Sequence, residues 1–349
     1  MVNAGAVEEF IALALSPSLC QLMDDDILRI EDLRAHYLDA QKTVKAVDGV
    51  DLSVRRGTTL ALTGESGCGK TTVGLAVLNL VPYPGRIISG RVLFDGRDLL
   101  SLGKEEMRRV RGRDISMIFQ DPVSGLNPVL TIGEQVEEII TNHLSVSRKE
   151  ARAMTLEALQ RMGLAEPRRV AQQYPFHLSG GMCQRVMIAI ATVLNPRLVI
   201  ADEPTAALDV TIQAAILDEL AVLKRERGVS IMLITHDLGV VAQMADEVAV
   251  MYAGRIVESG SAANVFRRPL HPYTWALLST LPRLDGSTRP LPAIKGTPPD
   301  LAELPEECAF LLRCPKAVSA CRTGPAPPLK EIAPQHRAAC FNLVYHQDD

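Results

Sequence analysis

The chain is poor in aromatic residues and carries no surplus of positive charge. Only 4% of its 349 residues are Phe, Trp or Tyr, Trp occurs once, and the formal net charge is −4. Proteins that hold single-stranded nucleic acid stack bases on aromatic side chains along a basic groove. Duplex binders cluster Lys and Arg to displace counterions from phosphates. Neither composition occurs here, so no nucleic-acid partner is expected. Long apolar runs are also missing, and none approaches the ~18 residues that cross a bilayer. The longest candidate, Val186 to Leu194, is bounded by Arg185 and Asn195 and reads as a buried core helix. Residues 1–22 hold an apolar piece at Phe10–Leu15 but no basic start of a secretory signal. A cytosolic chain is expected, with residues 1–26 a loose extension or with Met23 as the true start. No internal repeat is visible.

What is present suits an ordinary core. Hydrophobic residues make up 47% and charged residues 22%, enough for one large or two ordinary domains. Leu28–Tyr37, Val50–Val54, Thr59–Leu62, Arg91–Phe94 and Ile115–Phe119 read as strands from alternation or short apolar runs. Leu198–Ala201, Ile231–Ile234 and Val248–Met251 are fully apolar strands. Between them Thr71–Leu80, Glu150–Met162, Val210–Arg225 and Leu238–Ala245 read as helices, and the whole stretch from Asp121 to Arg185 turns helical. Strands alternating with helices predict an α/β fold with a mainly parallel sheet covered on both faces. The pattern changes after Arg268. Of 22 prolines, 13 lie between Pro269 and Pro334, where long strands and helices are hard to place. The expected division is therefore residues 27–268 as one domain, with a helical part at about 121–185, and residues 269–349 as a separate, loop-rich region.

The chemistry is concentrated at strand ends. Gly64-Glu65-Ser66-Gly67-Cys68-Gly69-Lys70-Thr71 fits G-x-x-x-x-G-K-T between a strand and a helix. Its glycines let main-chain N–H groups turn inward around phosphate oxygens, Lys70 reaches the β- and γ-phosphates, and the Thr71 hydroxyl binds Mg²⁺. The next helix points its positive N-terminus at the same anion. Leu198-Val199-Ile200-Ala201-Asp202-Glu203 is an apolar strand ending in two acids. Placed beside the loop, Asp202 would hold Mg²⁺ and Glu203 would take a proton from an attacking water. His236 follows a strand by one residue and could sense a γ-phosphate. Gln120 ends another strand and could reach Mg²⁺ or water. Leu178-Ser179-Gly180-Gly181-Met182-Cys183-Gln184 precedes an apolar helix that Ser179 can cap.

These motifs, with Ala207-Leu208-Asp209 and Thr235-His236-Asp237, stand in the order and spacing of ABC-transporter ATPases, which the chain resembles from about Leu28 to Gly260. The resemblance implies a P-loop ATPase core with an antiparallel β part and a helical subdomain. It implies a head-to-tail dimer with two ATP molecules at the interface. By position, Tyr37 stacks on adenine, and Gly64, Ser66, Gly67, Cys68, Gly69, Lys70, Thr71 and Thr72 line the phosphate site. Gln120 and Asp202 join Thr71 around Mg²⁺, Glu203 is the catalytic base and His236 the γ-phosphate switch. Ser179, Gly181 and Gln184 complete the partner's site, and Asp209 couples the two. His177 and Cys183 depart from the family pattern, which has Glu and Arg there.

Finer motifs are similar to the dipeptide/oligopeptide permease ATPases: Gln120-Asp121-Pro122, Gly125-Leu126-Asn127-Pro128, Thr131–Gln135, Leu208–Gln213, His271-Pro272-Tyr273-Thr274, Lys295–Pro299 and Arg313-Cys314-Pro315. Such importers pair two different ATPase subunits beneath two membrane permease subunits, at the cytoplasmic face of the inner membrane. An external solute-binding protein delivers the peptide. Nickel and opine importers share the motifs; a soluble, non-transport ABC ATPase is a more distant alternative.

Four of the seven cysteines, Cys308, Cys314, Cys321 and Cys340, fall in the last 42 residues with spacing C-x5-C-x6-C-x18-C. That is not the usual C-x2-C of zinc sites. Four thiolates could hold zinc or a [4Fe–4S] cluster, and the resemblance implies the cluster.

Overall fold

The computed structural model describes residues 25–39, 42–206, 209–281 and 293–344. The expected N-terminal extension over 1–24, the start at Met23, Ala207 and Leu208 lie outside the described residues.

Two sheets enclose a helix. The antiparallel sheet has the order β2-β1-β4-β5, from β1 (Asp26–Leu38), β2 (Thr43–Arg55), β4 (Gly85–Phe94) and β5 (Arg97–Asp98). The larger sheet is built on β3 (Thr59–Thr63), β6 (Ile115–Ile118), β7 (Leu198–Asp202), β8 (Ser230–Ile234) and β9 (Glu247–Tyr252), which pair in parallel in the order β9-β3-β8-β7-β6. Helix α1 (Lys70–Val77) touches β1 and β2 on one side and β7 and β8 on the other.

The apolar runs read in the sequence fold as expected because both faces of the parallel strands are buried. Leu198 and Ile200 pack toward α1 and the antiparallel sheet. Val199 and Ala201, one residue out of phase, pack on the helices of the opposite face. β1 and β2 are longer than expected. Lys45, Asp48 and Asp51 interrupt the alternation of β2, and register shifts near Leu33 and Tyr37 break the period of β1, so neither end shows in a pattern of period two.

The helical region begins later than Asp121. Helix α2 (Lys104–Val110) precedes β6; residues 121–131 are turns, and the region beyond them holds α3 (Ile132–His143), α4 (Arg148–Arg161), α5 (Pro167–Val170) and α6 (Gly180–Thr192). Thr131 with Glu134 and Ser147 with Glu150 form capping boxes that fix the starts of α3 and α4. Helices α7 (Val210–Arg227) and α8 (Leu238–Met244) return the chain between β7, β8 and β9.

The C-terminal region is tied to the core. After β10 (Arg255–Ser261), α9 (Ala262–Arg267) and α10 (Pro272–Ser279), the chain forms a hairpin of β11 (Lys330–Ala333) and β12 (His336–Ala338). β12 pairs with β10 and extends the large sheet. No strand was expected there, since Pro334 and a three-residue partner leave no readable alternation. A buried Glu258 carboxylate holds the hairpin: it accepts from the main-chain N–H of Leu270 and of His271, each at 2.8 Å, and lies 2.8 Å from His336 Nε2. Tyr273 and Phe310 pack on Tyr252 at ring separations of 4.6 and 5.3 Å, so this region shares an apolar core with β9.

Candidate active site

The parallel strands deliver every main residue of the site to one edge. The pairings Leu62 with Ile234, Asp202 with Ile234 and Ile118 with Ala201 set the carboxyl ends of β3, β8, β7 and β6 level. Ligands of open parallel sheets bind at this edge. The P-loop leaves β3 there and turns on glycines that no other residue could replace. A Cβ on Gly64 would stand 2.1 Å from the Met251 carbonyl oxygen, and one on Gly69 1.9 Å from that of Ala46; both residues have positive φ. Gly69 then starts α1, whose first residue is Lys70. Lys70 is buried. Its ammonium donates to the carbonyls of Gly64 at 2.8 Å and Glu65 at 3.0 Å and lies 3.7 Å from Cys68 Sγ, so it is held inside the loop that it closes. Gly67 has positive φ with open space around it, and Ser66 lines the adjoining cavity. The Thr72 hydroxyl lies 3.4 Å from that of Tyr37.

The two acids at the end of β7 have different surroundings. Asp202 is 1% exposed, and burial pushes its carboxyl up to about 6; Thr71, whose hydroxyl donates to it at 3.2 Å, and Lys70 pull the other way. A buried carboxylate bonded to the Thr71 hydroxyl is a fitting donor pair for a hard divalent cation, which takes oxygen ligands. Glu203 adopts φ 47°, an unfavourable backbone for a residue with a side chain. Its N–H still donates to the Ile234 carbonyl at 2.8 Å, which locks the turn. Its carboxylate accepts from the Thr235 hydroxyl and the His236 N–H, both at 3.2 Å, and lies 2.6 Å from His236 Nδ1. The sequence offered Glu203 and His236 as separate roles; the structure joins them as one bonded pair. The His236 side chain is 59% exposed, facing out of the edge.

The other expected residues lie on separate elements. Tyr37 sits half-buried on β1 against Gly85. Gln120 is exposed just past β6. Ser179 caps α6 through Met182 N–H at 3.3 Å, and both Ser179 and Gly180 are exposed, free to meet another molecule. Asp209 caps α7, accepting from Thr211 and Ile212 N–H at 3.1 and 3.0 Å. Gly181 and Gln184 behave differently. Gly181 is buried against Ile212 of α7, where a Cβ would stand 2.9 Å from the Ile212 side chain. Gln184 is 2% exposed, and its amide donates to the carbonyl of Pro204 in the same chain at 2.8 Å. Within this chain it ties α6 to the turn after Glu203. The same geometry accounts for Cys183. It is 1% exposed with its thiol on the Pro175 carbonyl at 3.5 Å, so it belongs to the packed side of α6 rather than to the exposed edge. His177, exposed, accepts from Tyr174 N–H at 3.3 Å and packs on Phe176.

In the C-terminal region Cys308, Cys314, Cys321 and Cys340 line one small cavity, with His271 and Phe310 beside them. All four are free thiols. Burial raises the Cys308, Cys314 and Cys340 thiols, Cys340 to about 11, and the neighbouring cysteines add to the effect. Among the described residues, no three His, Cys, Asp or Glu side chains converge closely enough to hold a single metal ion.

Sequence reasoning missed three participants. Gln135 is a buried amide that bonds Asn127 N–H at 2.8 Å and the Asn127 and Leu130 carbonyls at 3.1 Å, fixing the loop that follows Gln120. Tyr273 accepts from Glu65 N–H at 2.8 Å, and Arg313 grips the Glu65 carboxylate. Gln135 lay within reach of a local reading, being eight residues from Asn127. Tyr273 and Arg313 lie more than 200 residues from Glu65, and no local pattern carries such a pairing.

Comparison with known proteins agrees with this geometry. Residues 47–206 match the ABC transporter family, and residues 257–321 match the oligopeptide/dipeptide transporter C-terminal region. The chain is 47% identical over 298 residues to the dipeptide transport ATP-binding protein DppD of Bacillus subtilis strain 168, covering 85% of this chain and 89% of that protein. It is 45% identical over 326 residues to the oligopeptide transport ATP-binding protein OppD of Escherichia coli K12, covering 93% and 96%. Among solved structures it is similar to a dimeric ATP-binding cassette in a post-hydrolysis state bound to ADP and Pi, with TM-score 0.62 and 29% identity, over 67% of this chain and 98% of the other.

Proposed function

This chain belongs to the ABC transporter family as an ATP-hydrolysing, ATP-binding subunit, and from that premise we propose that it energises the import of di- or oligopeptides. The observation that carries the motor reading is the meeting of Lys70, Thr71, Asp202 and Glu203 at one sheet edge. The peptide reading is supported by near full-length similarity to one dipeptide and one oligopeptide transport subunit, and by the match of the C-terminal region.

The chemistry is in-line transfer of a phosphoryl group to water, driven by positioning and charge stabilisation. Lys70 leaves the Gly64 and Glu65 carbonyls and takes the β- and γ-phosphates. Thr71 and Asp202, with Gln120 completing the set, would hold Mg²⁺, which supplies Lewis-acid stabilisation of phosphate charge when bound. Glu203 accepts the proton of the attacking water, and Thr235 and His236 orient its carboxylate. Tyr37 stacks on the adenine. The exposed Ser179 and Gly180 close over the nucleotide of a second, homologous ATPase subunit, and Asp209 links the two sites.

No helix among the described residues is long and apolar enough to cross a membrane. We place the chain as a peripheral subunit on the cytoplasmic face of the inner membrane, beneath two transmembrane permease subunits served by an extracytoplasmic solute-binding protein. The exposed apolar side chains of Phe119, Val123 and Val129 around Gln120 support that docking face. We divide the chain into an ATPase domain at 27–268 and a C-terminal region at 269–349. Reconstituted in proteoliposomes with its permeases, the complex takes up labelled peptide only with ATP; uptake of nickel or an opine in place of peptide rejects the substrate assignment.

We also assign a [4Fe–4S] cluster to Cys308, Cys314, Cys321 and Cys340. The reading is supported by the four thiols that line one cavity and by the cysteine thiolate ligation such clusters take. Bound there, the cluster would cross-link the loops that carry Cys308, Cys314, Cys321 and Cys340. Protein purified without oxygen is expected to contain iron and sulfide and to absorb broadly near ~400 nm, and Cys314→Ser to lose both. Zinc without iron in the purified protein rejects the cluster.

A further inference from the structure

The C-terminal region reaches into the nucleotide loop through one residue. Arg313 Nη1 and Nη2 donate to Glu65 Oε2 and Oε1 at 2.7 and 2.9 Å, a two-point fork-to-carboxylate pairing. The Arg313 side chain is 5% exposed. Its other donors are fixed on the Tyr252 hydroxyl and the Lys295 carbonyl, both at 3.1 Å, and its guanidinium lies over the rings of Tyr252 and Phe310. Every polar group of Glu65 is thereby held: its N–H by Tyr273, its carbonyl by Lys70 and its carboxylate by Arg313. The same region supplies a wall. Pro298 to Leu301 face Glu65, Ser66, Gly67 and Cys68 across one cavity, and the Leu301 carbonyl accepts from Lys45 N–H at 3.0 Å.

The position of Glu65 creates a difficulty for a phosphate site. A carboxylate within the loop that receives a polyanion repels it, and repulsion is strong where water is excluded. A buried guanidinium paired with that carboxylate cancels the charge and fixes its geometry. We propose that Arg313 is a positioning residue of the ATPase reaction, holding and neutralising Glu65 so that the P-loop accepts ATP. The C-terminal region is then a working part of the nucleotide site. The proposal rests on the ATPase reading of that site.

The test is steady-state ATP hydrolysis by the full membrane complex. Arg313→Met is expected to raise KM for ATP about tenfold, the size of a lost charge-assisted bond, with kcat nearly unchanged. The Glu65→Gln/Arg313→Met double variant regains most of that loss, since the carboxylate that needed neutralising is gone. Arg313→Lys, which keeps the charge and assembles readily, shows a smaller rise, because an ammonium lacks the fork. An unchanged KM in Arg313→Met overturns the proposal. So does a loss that persists in the double variant, or one confined to kcat and thermal stability, which marks a purely structural tie. If Arg313→Met does not assemble, the double and Lys variants decide by the same criteria. A wild-type complex that hydrolyses no ATP rejects the ATPase reading itself, an outcome distinct from an active complex indifferent to Arg313.

Discussion

Glu203→Gln leaves ATP binding intact and lowers turnover about a thousandfold, within the range general-base catalysis contributes. The amide keeps the shape of the carboxylate and can still meet the Thr235 hydroxyl and His236 N–H that now orient Glu203. It cannot accept the proton of the attacking water. Asp202 is untouched, so the Thr71 and Asp202 donor pair stays in place. Radiolabelled nucleotide retention and single-turnover hydrolysis separate the two effects. Full hydrolysis in the variant removes Glu203 from its role and shifts attention to His236, which lies 2.6 Å from it. His236→Ala should act in the same direction but less, because Thr235 still holds one carboxylate oxygen.

Lys70→Ala weakens ATP binding about 100-fold, the loss of a buried charge-assisted contact to phosphate. The ammonium is already enclosed by the loop, on the carbonyls of Gly64 and Glu65. Its removal leaves those acceptors without their partner and deprives the phosphates of their nearest cation. Arg is no substitute. The cradle is drawn tight around one nitrogen, with Cys68 Sγ at 3.7 Å, and a planar fork does not fit it. Titration with a fluorescent ATP analogue measures the loss, and unaltered affinity in Lys70→Ala excludes this lysine from the phosphate site.

The sequence by itself determined the kind of site and the kind of sheet. Period and apolar run length identify parallel strands buried on both faces, because that burial removes polar residues from either side. The glycines at 64 and 69 could be read because a left-handed turn packed against a carbonyl excludes every larger residue. The acids at Asp202 and Glu203 could be read because a polar residue ending an apolar strand must lie at the sheet edge.

The tertiary structure decided how these parts are joined. It turned the Gln184 amide to the Pro204 carbonyl of its own chain, since helix phase sets direction and a motif does not disclose it. It put Cys183 in the core by the same phase. It bonded Glu203 to His236 across two adjacent strands, a contact set by sheet order. It also folded a proline-rich tail onto β10 and carried Arg313 to Glu65. Local pattern records only what a few neighbouring residues need of one another. A pairing across 248 positions leaves no periodicity, and only the assembled core brings the two charges together.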